Sequence, residues 1–499
     1  MTRLYDTARR EKVEISPRQQ GKLGVYVCGP TVYDKCHVGH ARCYVAFDVV
    51  VRHLRGSGYQ VTYVRNLTDV DDKIINRAME LGQEPLALSA RFIDEFHADM
   101  AALGNLAPDV EPRVSAHIDE IIQLVQSLIA GSHAYEVEGD VYFEVGRFEP
   151  YGRLSRRNLE DLRVGARVDV DRRKRSPLDF ALWKTAKPGE PSWPSPWGLG
   201  RPGWHIECSA MSSRYLGTSF DIHGGGMDLI FPHHENELAQ SRAANGPDSF
   251  ATYWMHNGFI NVRTSEGAQE KMSKSLGNFF TIQQVLAHNE PEALRLFLLG
   301  THYRKPIVFE VDARDDGSPR FVSLEDAEGR LSYAYGTLTR IEQALPSDKA
   351  VGPGETLPPA DRFIERFDAA LNDDFNTAAA LGLTSELLTL ANKLLDQPKA
   401  ASKDVRRRTL QAVQQAFSHV SERLGVFGQD PGPYLLRRRS RLCKLRGIDA
   451  ADVERLMAER TEARKARDFD RADGIRERLA HLGVELMDAS GGTTWRIAE

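Results

Sequence analysis

The sequence predicts an α/β protein: a doubly wound parallel sheet of Rossmann type carrying an inserted connective subdomain, followed by a helical bundle and a small mixed α/β C-terminal domain. Near the N-terminus, short apolar runs (Val25 to Val27, Val61 to Asn66) alternate with helical periodicity, the βαβα order of a parallel sheet. A second alternation of the same kind resumes at about residue 203. Beyond Leu299 the period is helical. A chain of 499 residues exceeds one hydrophobic core, and about three domains is the length prior. The expected boundaries are 1–310 for the nucleotide-binding part, with its insertion at about 115–203, then 311–428 for the bundle and 429–499 for the last domain.

In order, Val25-Tyr26-Val27 ends a strand, Gly29-Pro30 breaks it, and His37-Val38-Gly39-His40 opens a helix through Val45, Val49, Val50 and Leu54 to Gly58. Strand, polar loop and helix in that order present backbone N–H groups at the carboxyl edge of a sheet, where ligands bind. Val61 to Asn66 is a buried strand, and Asp71 to Leu81 a helix begun by acids. From about Ser115 the pattern loosens into a helix (Ile118 to Ile129), a strand (Val141 to Val145), a polar arm (Arg153 to Arg175) and a Pro-Gly-Trp stretch (Lys187 to Gly203). The second half is expected as a helix to Leu216, strand Phe220 to His223, Gly224 to Gly226, a helix from His233 and strand Trp254 to Ile260. Amphipathic helices follow at Leu324 to Leu345, Asp361 to Asn372, Thr377 to Leu395 and Val405 to Leu424, with an exposed loop over Pro346 to Pro359. After Gly432-Pro433 come one charged helix, Ala450 to Leu482, and a strand pair, Gly483 to Met487 with Thr494 to Arg496.

With 41% apolar and 27% charged residues the chain folds and buries cores. No apolar run approaches the roughly 18 residues of a membrane helix, and the N-terminus lacks the pattern of a secretory signal or transit peptide. Five scattered cysteines, Cys28, Cys36, Cys43, Cys208 and Cys443, make no disulfide framework, which leaves reduced thiols or metal ligands and a cytoplasmic location. The net charge of -5 is uneven: Lys403 to Arg446 holds eleven basic residues against three acids. That surplus is either a footprint for phosphates or a solvated helix face.

Three motifs carry chemistry. His233 and Glu237 are four apart, on one helix face; with Cys28 and Cys208 at the edge of the same sheet they make two thiolates, an imidazole and a carboxylate, within the zinc repertoire. No C-x-x-C spacing accompanies them, and a helix with one buried histidine and solvent-facing acids gives the same pattern. Lys271-Met-Ser-Lys274-Ser suits a polyphosphate, or is a surface lysine loop. His223-Gly-Gly-Gly226-Met-Asp228 lets a flat base approach, with a carboxylate for ribose hydroxyls, or is a plain turn.

Taken in order, H-V-G-H, G-G-G-M-D and K-M-S-K-S resemble the class I aminoacyl-tRNA synthetases. Y-V-C-G-P-T-V-Y-D, W-H-I-E-C-S-A-M and F-P-H-H-E-N-E-L-A-Q-S resemble the cysteinyl-tRNA synthetases, and the likeness runs from L-Y-D-T to the closing G-T-T-W-R. The resemblance implies that Cys28, Cys208, His233 and Glu237 hold one zinc, which binds the thiolate of L-cysteine. It implies that His37, His40, Lys271 and Lys274 act on the phosphates, and that Gly39, Gly226, Asp228 and Lys274 bind ATP with its magnesium. Thr68 and Trp204 would line the amino-acid pocket, with His205 and His256 as neighbours. The partner implied is tRNA(Cys), bound by a monomer with no membrane attachment, its stem and anticodon side on the bundle and residues 429–499. The insertion is too small for an editing domain. Two segments, Val262 to Glu270 and Asp312 to Pro319, are longer and more polar than the family pattern. Rival functions are an ATP-dependent ligase joining cysteine to an amino sugar in thiol biosynthesis, and an inactive RNA-binding homologue.

Overall fold

The central sheet has four parallel strands, β1 (Lys22–Val27), β2 (Gln60–Arg65), β3 (Ser219–Gly226) and β4 (Phe250–Asn257), in the order β4-β3-β1-β2. The computed structural model describes residues 1–157, 172–264, 267, 270–272, 278–314, 317–345, 352, 354–489 and 492–498. Val25, Tyr26 and Val27 are all fully buried, as expected of a strand covered on both faces. Helix α1 (Val38–Gly56) connects β1 to β2; α2 (Trp204–Leu216) precedes β3, and α3 (Glu235–Asn245) connects β3 to β4. Because β2 lies on one side of β1 and β3 on the other, the chain order reverses between β1 and β3. A crevice at the carboxyl ends of those two strands is where an open α/β sheet binds ligands.

Several expected elements shift. The strand expected over Trp254 to Ile260 ends at Asn257, because Gly258 lies against the next segment: a Cβ there would stand 2.6 Å from the Lys305 carbonyl oxygen. Ile260–Thr264 then joins a second four-stranded sheet with Glu270–Lys271, Ile307–Ala313 and Pro319–Arg320. Of the two polar segments, 262–270 and 312–319, residues 262–264, 270, 312, 313 and 319 lie in the strands of two antiparallel pairs of this sheet, and 265, 266, 268, 269, 315 and 316 lie outside the described residues. The helix expected from His233 starts at Glu235, after a single wide turn, Ile230–His234, in which Phe231 is extended at φ -140° and ψ 132°. A residue preceding proline is driven out of the helical region, and Phe231 precedes Pro232. The strand expected over Val141 to Val145 ends at Phe143.

The insertion builds a five-stranded antiparallel sheet from Ala134–Val137, Asp140–Phe143, Phe180–Thr185, Trp193–Ser195 and Gly198–Pro202. Phe143 stacks on Phe180 with ring centroids 5.0 Å apart, beside the fully buried Trp183. Part of the polar arm, residues 158–171, lies outside the described residues. Helix Ile118–Ala130 packs its face of Ile118, Ile121, Val125 and Leu128 against α2 and α3.

The chain divides into two compact units: Met1–Leu324 with Arg362–Ser385 and His419–Val426, and Glu325–Asp361 with Glu386–Ser418 and Phe427–Glu499. The helices expected over 311–428 are observed as Val322–Ala344, Phe363–Asn372, Thr377–Asp396 and Lys403–Leu424 and are shared between the units. Inside the first unit, the buried Arg295 guanidinium donates to the Leu424 carbonyl (2.7 Å), the Leu103 carbonyl (3.0 Å), Asn105 Oδ1 (2.7 Å) and the Asp48 carboxylate on α1. One cation thereby ties four segments together around the helix that begins at the H-V-G-H motif.

In the second unit, Arg438 and Arg441 converge on Glu328, Arg446 donates to the Ala498 carbonyl, and Arg439 lies 4.5 Å over the Trp495 ring. Part of the basic stretch is therefore engaged within the fold. The helix expected over Ala450 to Leu482 is two, Ala450–Lys465 and Phe469–His481, broken where Arg467 turns to φ 58° and Asp468 caps the second. They pack with the antiparallel strands Val484–Ala489 and Gly492–Ile497 on a core of Val453, Leu456, Leu479, Val484 and Trp495.

Replacing Arg295 by Met is expected to cost about 2–3 kcal/mol, because it removes the donors of two buried carbonyls and leaves the Asp48 carboxylate to Arg52 and the Leu106 amide. Urea unfolding of the variant against wild type measures this.

Candidate active site

The loop from Cys28 to His37 connects β1 to α1 and is fixed at both ends. The Cys28 amide donates to the Gly224 carbonyl at 3.1 Å, which continues the pairing of β1 with β3. Gly29 lies flush on β2: a Cβ there would fall 1.5 Å from the Asn66 carbonyl oxygen, so no other residue fits. At the far end His37 is the N-cap of α1, its Nδ1 accepting from the Gly39 amide at 3.0 Å while the His37 amide donates to His40 Nδ1 at 3.3 Å. With each Nδ1 accepting from the backbone, each neutral ring carries its proton on Nε2. The rings lie 3.9 Å apart at a helix N-terminus, which favours anions. Gly39 admits no side chain, since a Cβ would meet His37 Cε1 at 2.6 Å.

The loop lines a cavity of about 380 Å³ together with Asn66, Thr68, Trp204, Cys208, Gly226, Asp228 and His233. Ten of the predicted site residues, Cys28, His37, Gly39, His40, Thr68, Trp204, Cys208, Gly226, Asp228 and His233, thus border one space. Glu237 is fully buried behind His233. The backbone of Lys271 lies in the strand Glu270–Lys271, Met272 borders the cavity, and Lys274 lies outside the described residues. The segment after K-M-S-K-S is paired directly to the loop: Val38 donates to the Phe280 carbonyl (3.1 Å), and Ile282 to the Cys36 carbonyl (2.9 Å).

At the sheet end, Cys28, Cys208, His233 and Glu237 place their ligand atoms within 4.8 Å of one another, all buried. The two sulfurs are 3.8 Å apart, Cys28 Sγ is 3.5 Å from Glu237 Oε1, and His233 Nε2 is 2.8 Å from the same oxygen. Two sulfurs each about 2.3 Å from a tetrahedral ion would stand about 3.8 Å apart, so the spacing of the two sulfurs fits a metal. Burial opposes every charge here, yet Glu237 and Cys208 hold the His233 ring protonated to about 10. Against the same burial, Cys28 and His233 bring the Cys208 thiol down to about 6, and His223 and His233 hold the Glu237 carboxyl well below its usual range. The cluster is a set of opposed charges gathered where a cation would be shared. A second set, Cys28, His223, His234 and Glu237, overlaps it. Of the histidines in the two sets, His233 borders the cavity, whereas His223 and His234 are fully buried and do not line it.

Around the cluster stands a wall of histidines. His205 Nδ1 lies 3.0 Å from His233 Nδ1, His234 Nδ1 lies 2.8 Å from His256 Nε2, and His256 Nδ1 reaches Thr7 Oγ1 at 2.8 Å. Burial lowers His205 and His234 well below the ordinary histidine range and His256 to about 3, so these rings stay neutral. Trp204 stacks on His233 with centroids 4.4 Å apart. Sequence reasoning missed Asn66 and Glu207. Asn66 accepts from the Gly29 amide and lies 3.6 Å from Cys208 Sγ; Glu207 accepts from Thr68 at 2.8 Å. Their only signal was adjacency, Asn66 two residues before Thr68 and Glu207 beside Cys208.

The sequence matches three family models: the class I (C) tRNA synthetase catalytic domain over residues 14–316, the DALR domain over 366–428, and the cysteinyl-tRNA ligase anticodon binding domain over 450–496. Among solved structures, the fold is shared with Mycobacterium tuberculosis methionyl-tRNA synthetase in complex with methionyl-adenylate, at a TM-score of 0.59 and 17% identity over 81% of this chain and 92% of that one. An Agrobacterium radiobacter K84 LeuRS ternary complex gives 0.57 and 12% over 83% and 85%. Catalytic domain and fold define a class I aminoacyl-tRNA synthetase. Full-length relatives narrow this further: the cysteine–tRNA ligases of Anaeromyxobacter dehalogenans strain 2CP-C and Geobacter sulfurreducens are 53% and 50% identical, each over 99% of both chains. The chain belongs to the cysteine–tRNA ligase family.

Cobalt(II) should bind the apoprotein at one site with a sulfur-to-metal charge-transfer band. Cys208→Ala is expected to weaken that binding at least about a hundredfold, and His223→Ala, which removes a hydrogen bond to Glu237, by about tenfold. A larger loss in the His223 variant would assign the ion to the deeper set.

Proposed function

We propose that the chain activates L-cysteine with ATP and transfers it to the 3′ end of tRNA(Cys). The observation that carries this is a single cavity with a buried cluster of two cysteines, a histidine and a glutamate at one end and a histidine-capped helix N-terminus at the other. In the first step the cysteine carboxylate attacks the α-phosphorus of ATP, forming cysteinyl-adenylate as pyrophosphate leaves. In the second, a ribose hydroxyl of the terminal adenosine attacks the adenylate carbonyl and releases AMP. Neither step needs a protein nucleophile; both need geometry and charge. The Nε2–H donors of His37 and His40 and the first amides of α1 would stabilise charge moving toward pyrophosphate. Gly39 lets the phosphates approach the backbone. Lys271 and Lys274 would close on the β- and γ-phosphates, with magnesium accompanying the nucleotide. Gly226 and Asp228 would hold the adenosine, the carboxylate accepting from ribose hydroxyls.

Cys28, Cys208, His233 and Glu237 would hold zinc, which supplies a soft Lewis acid for the substrate thiolate. Shape alone separates near-isosteres by only about a hundredfold, far short of the about 10⁴ or more that protein synthesis needs. Trp204, stacked on His233, and Thr68 would shape the remaining pocket. The neutral His205, His234 and His256 add no competing charge.

The match over 450–496 and the basic surplus of 403–446 support tRNA as acceptor over an amino sugar, and the intact motifs favour an active enzyme over a silent homologue. A monomer suffices, since one chain lines the whole cavity. Among the described residues no helix is long and apolar enough to cross a membrane, which accords with the cytoplasm as site of action.

Pyrophosphate exchange and tRNA charging test this together. The purified chain should carry about one zinc and catalyse exchange with cysteine but not serine. Cys208→Ala should lose cysteine activation while the KM for ATP holds; an equal loss in both would indicate misfolding. Deleting residues 430–499 should spare exchange and weaken charging of tRNA. Unchanged charging, or transfer to an amino sugar in place of tRNA, would overturn the acceptor.

A further inference from the structure

Behind the cavity wall Asn66, Thr68 and Glu207 form a hydrogen-bond chain whose direction is fixed at one end. The Gly29 amide can only donate, so Asn66 Oδ1, 2.9 Å away, accepts. That turns Asn66 Nδ2 toward Thr68 Oγ1, 3.4 Å away, as a donor. Thr68 directs its own hydroxyl proton to Glu207 Oε2 at 2.8 Å. Asn66 and Thr68 border the cavity, while Glu207, 1% exposed, does not. Glu207 Oε1 is buried and has no hydrogen-bond partner among the described residues. A buried carboxyl held by one hydroxyl is a poor way to fill space, since a nonpolar side chain of similar volume carries no desolvation cost.

The chain has a chemical consequence. With its proton turned inward and one lone pair taken by Asn66, Thr68 offers a ligand only the remaining lone pair of its oxygen. An oxygen that can only accept, backed by a buried carboxyl, suits a cationic N–H donor and disfavours a carboxylate. We propose that Glu207 is a positioning residue for the substrate's ammonium group, acting through Thr68 by keeping that hydroxyl an acceptor. The inference rests on the cysteine reading of the cavity given above. In that reading the thiol sits at the Cys28 and Cys208 end and the carboxylate must point toward His37 and His40. The ammonium is the group left for the wall between them, and Asn66 lies 3.6 Å from Cys208 Sγ on that wall. Fixing the ammonium sets the direction in which the carboxylate leaves Cα, which orients the nucleophile.

Cysteine and 3-mercaptopropionate share thiol and carboxylate and differ in the ammonium, so their binding to the zinc-loaded, full-length protein isolates this role. Calorimetric titration of both ligands is made on wild type, Glu207→Leu and the nearly isosteric Glu207→Gln. Glu207→Leu is expected to weaken cysteine about tenfold and the desamino analogue less than about twofold. Glu207→Gln keeps an acceptor for Thr68 and should show a smaller loss, about threefold, again for cysteine alone. Equal loss for both ligands, or undiminished cysteine binding, in either folded variant would overturn the proposal. Wild type that binds neither ligand would instead overturn the cysteine reading, and this role with it.

Discussion

The pairing of β1 with β3 is the contact on which the site depends. It ends in one hydrogen bond, Cys28 N–H to the Gly224 carbonyl, which carries the sheet to the first residue of the loop and fixes Cys28 Sγ beside Cys208. Nine residues later the chain is fixed again, where His37 caps α1 and the loop pairs with Phe280 and Ile282. Between these anchors Gly29 is pressed onto the Asn66 carbonyl, so the loop cannot slide along β2. A thiol and a helix N-terminus that belong to different chemistries are thereby held at a set separation by backbone alone.

Electrostatics divides the cavity into two ends. At the sheet end, protonated His233, ionised Glu237 and the depressed Cys208 thiol gather charge in a buried place, an arrangement that a divalent cation would replace more favourably than water could. The histidines beyond are kept neutral by burial, so charge stays within the ligand set. At the helix end the Nδ1 of each imidazole accepts from a main-chain amide, which puts the proton of a neutral ring on Nε2. Arg295 contributes from a distance by binding Asp48 on α1 to three other segments, so the helix that carries the histidines is held by the first unit's core.

Much of the fold was legible because it rests on local chemistry. The cap at His37, the break at Gly29-Pro30 and the buried run Val25 to Val27 each follow from residues within a few positions of one another. The shifted boundaries have other causes: Gly258 is required by Lys305, far away in sequence, and Phe231 is extended because Pro232 follows it. The single charged helix over 450–482 was misread because Arg467 adopts a positive φ that its side chain gives no sign of. The four-residue cluster has no telling spacing, since Cys28 and Cys208 are 180 positions apart; residue types suggest it, the resemblance implies it, and the fold brings the atoms together. Asn66 and Glu207 make their hydrogen bonds along and behind the cavity wall, and no periodicity marks such a position.

The central claim is that the loop from Cys28 to His40 sets the distance between amino-acid and phosphate ends. Inserting one glycine between Val32 and Tyr33 leaves every donor and cap residue in place. The measurement is cysteine-dependent pyrophosphate exchange by this variant, with zinc content measured on the same sample. The account predicts retained metal with exchange lowered at least about a hundredfold. Retained metal with exchange near wild type would contradict it.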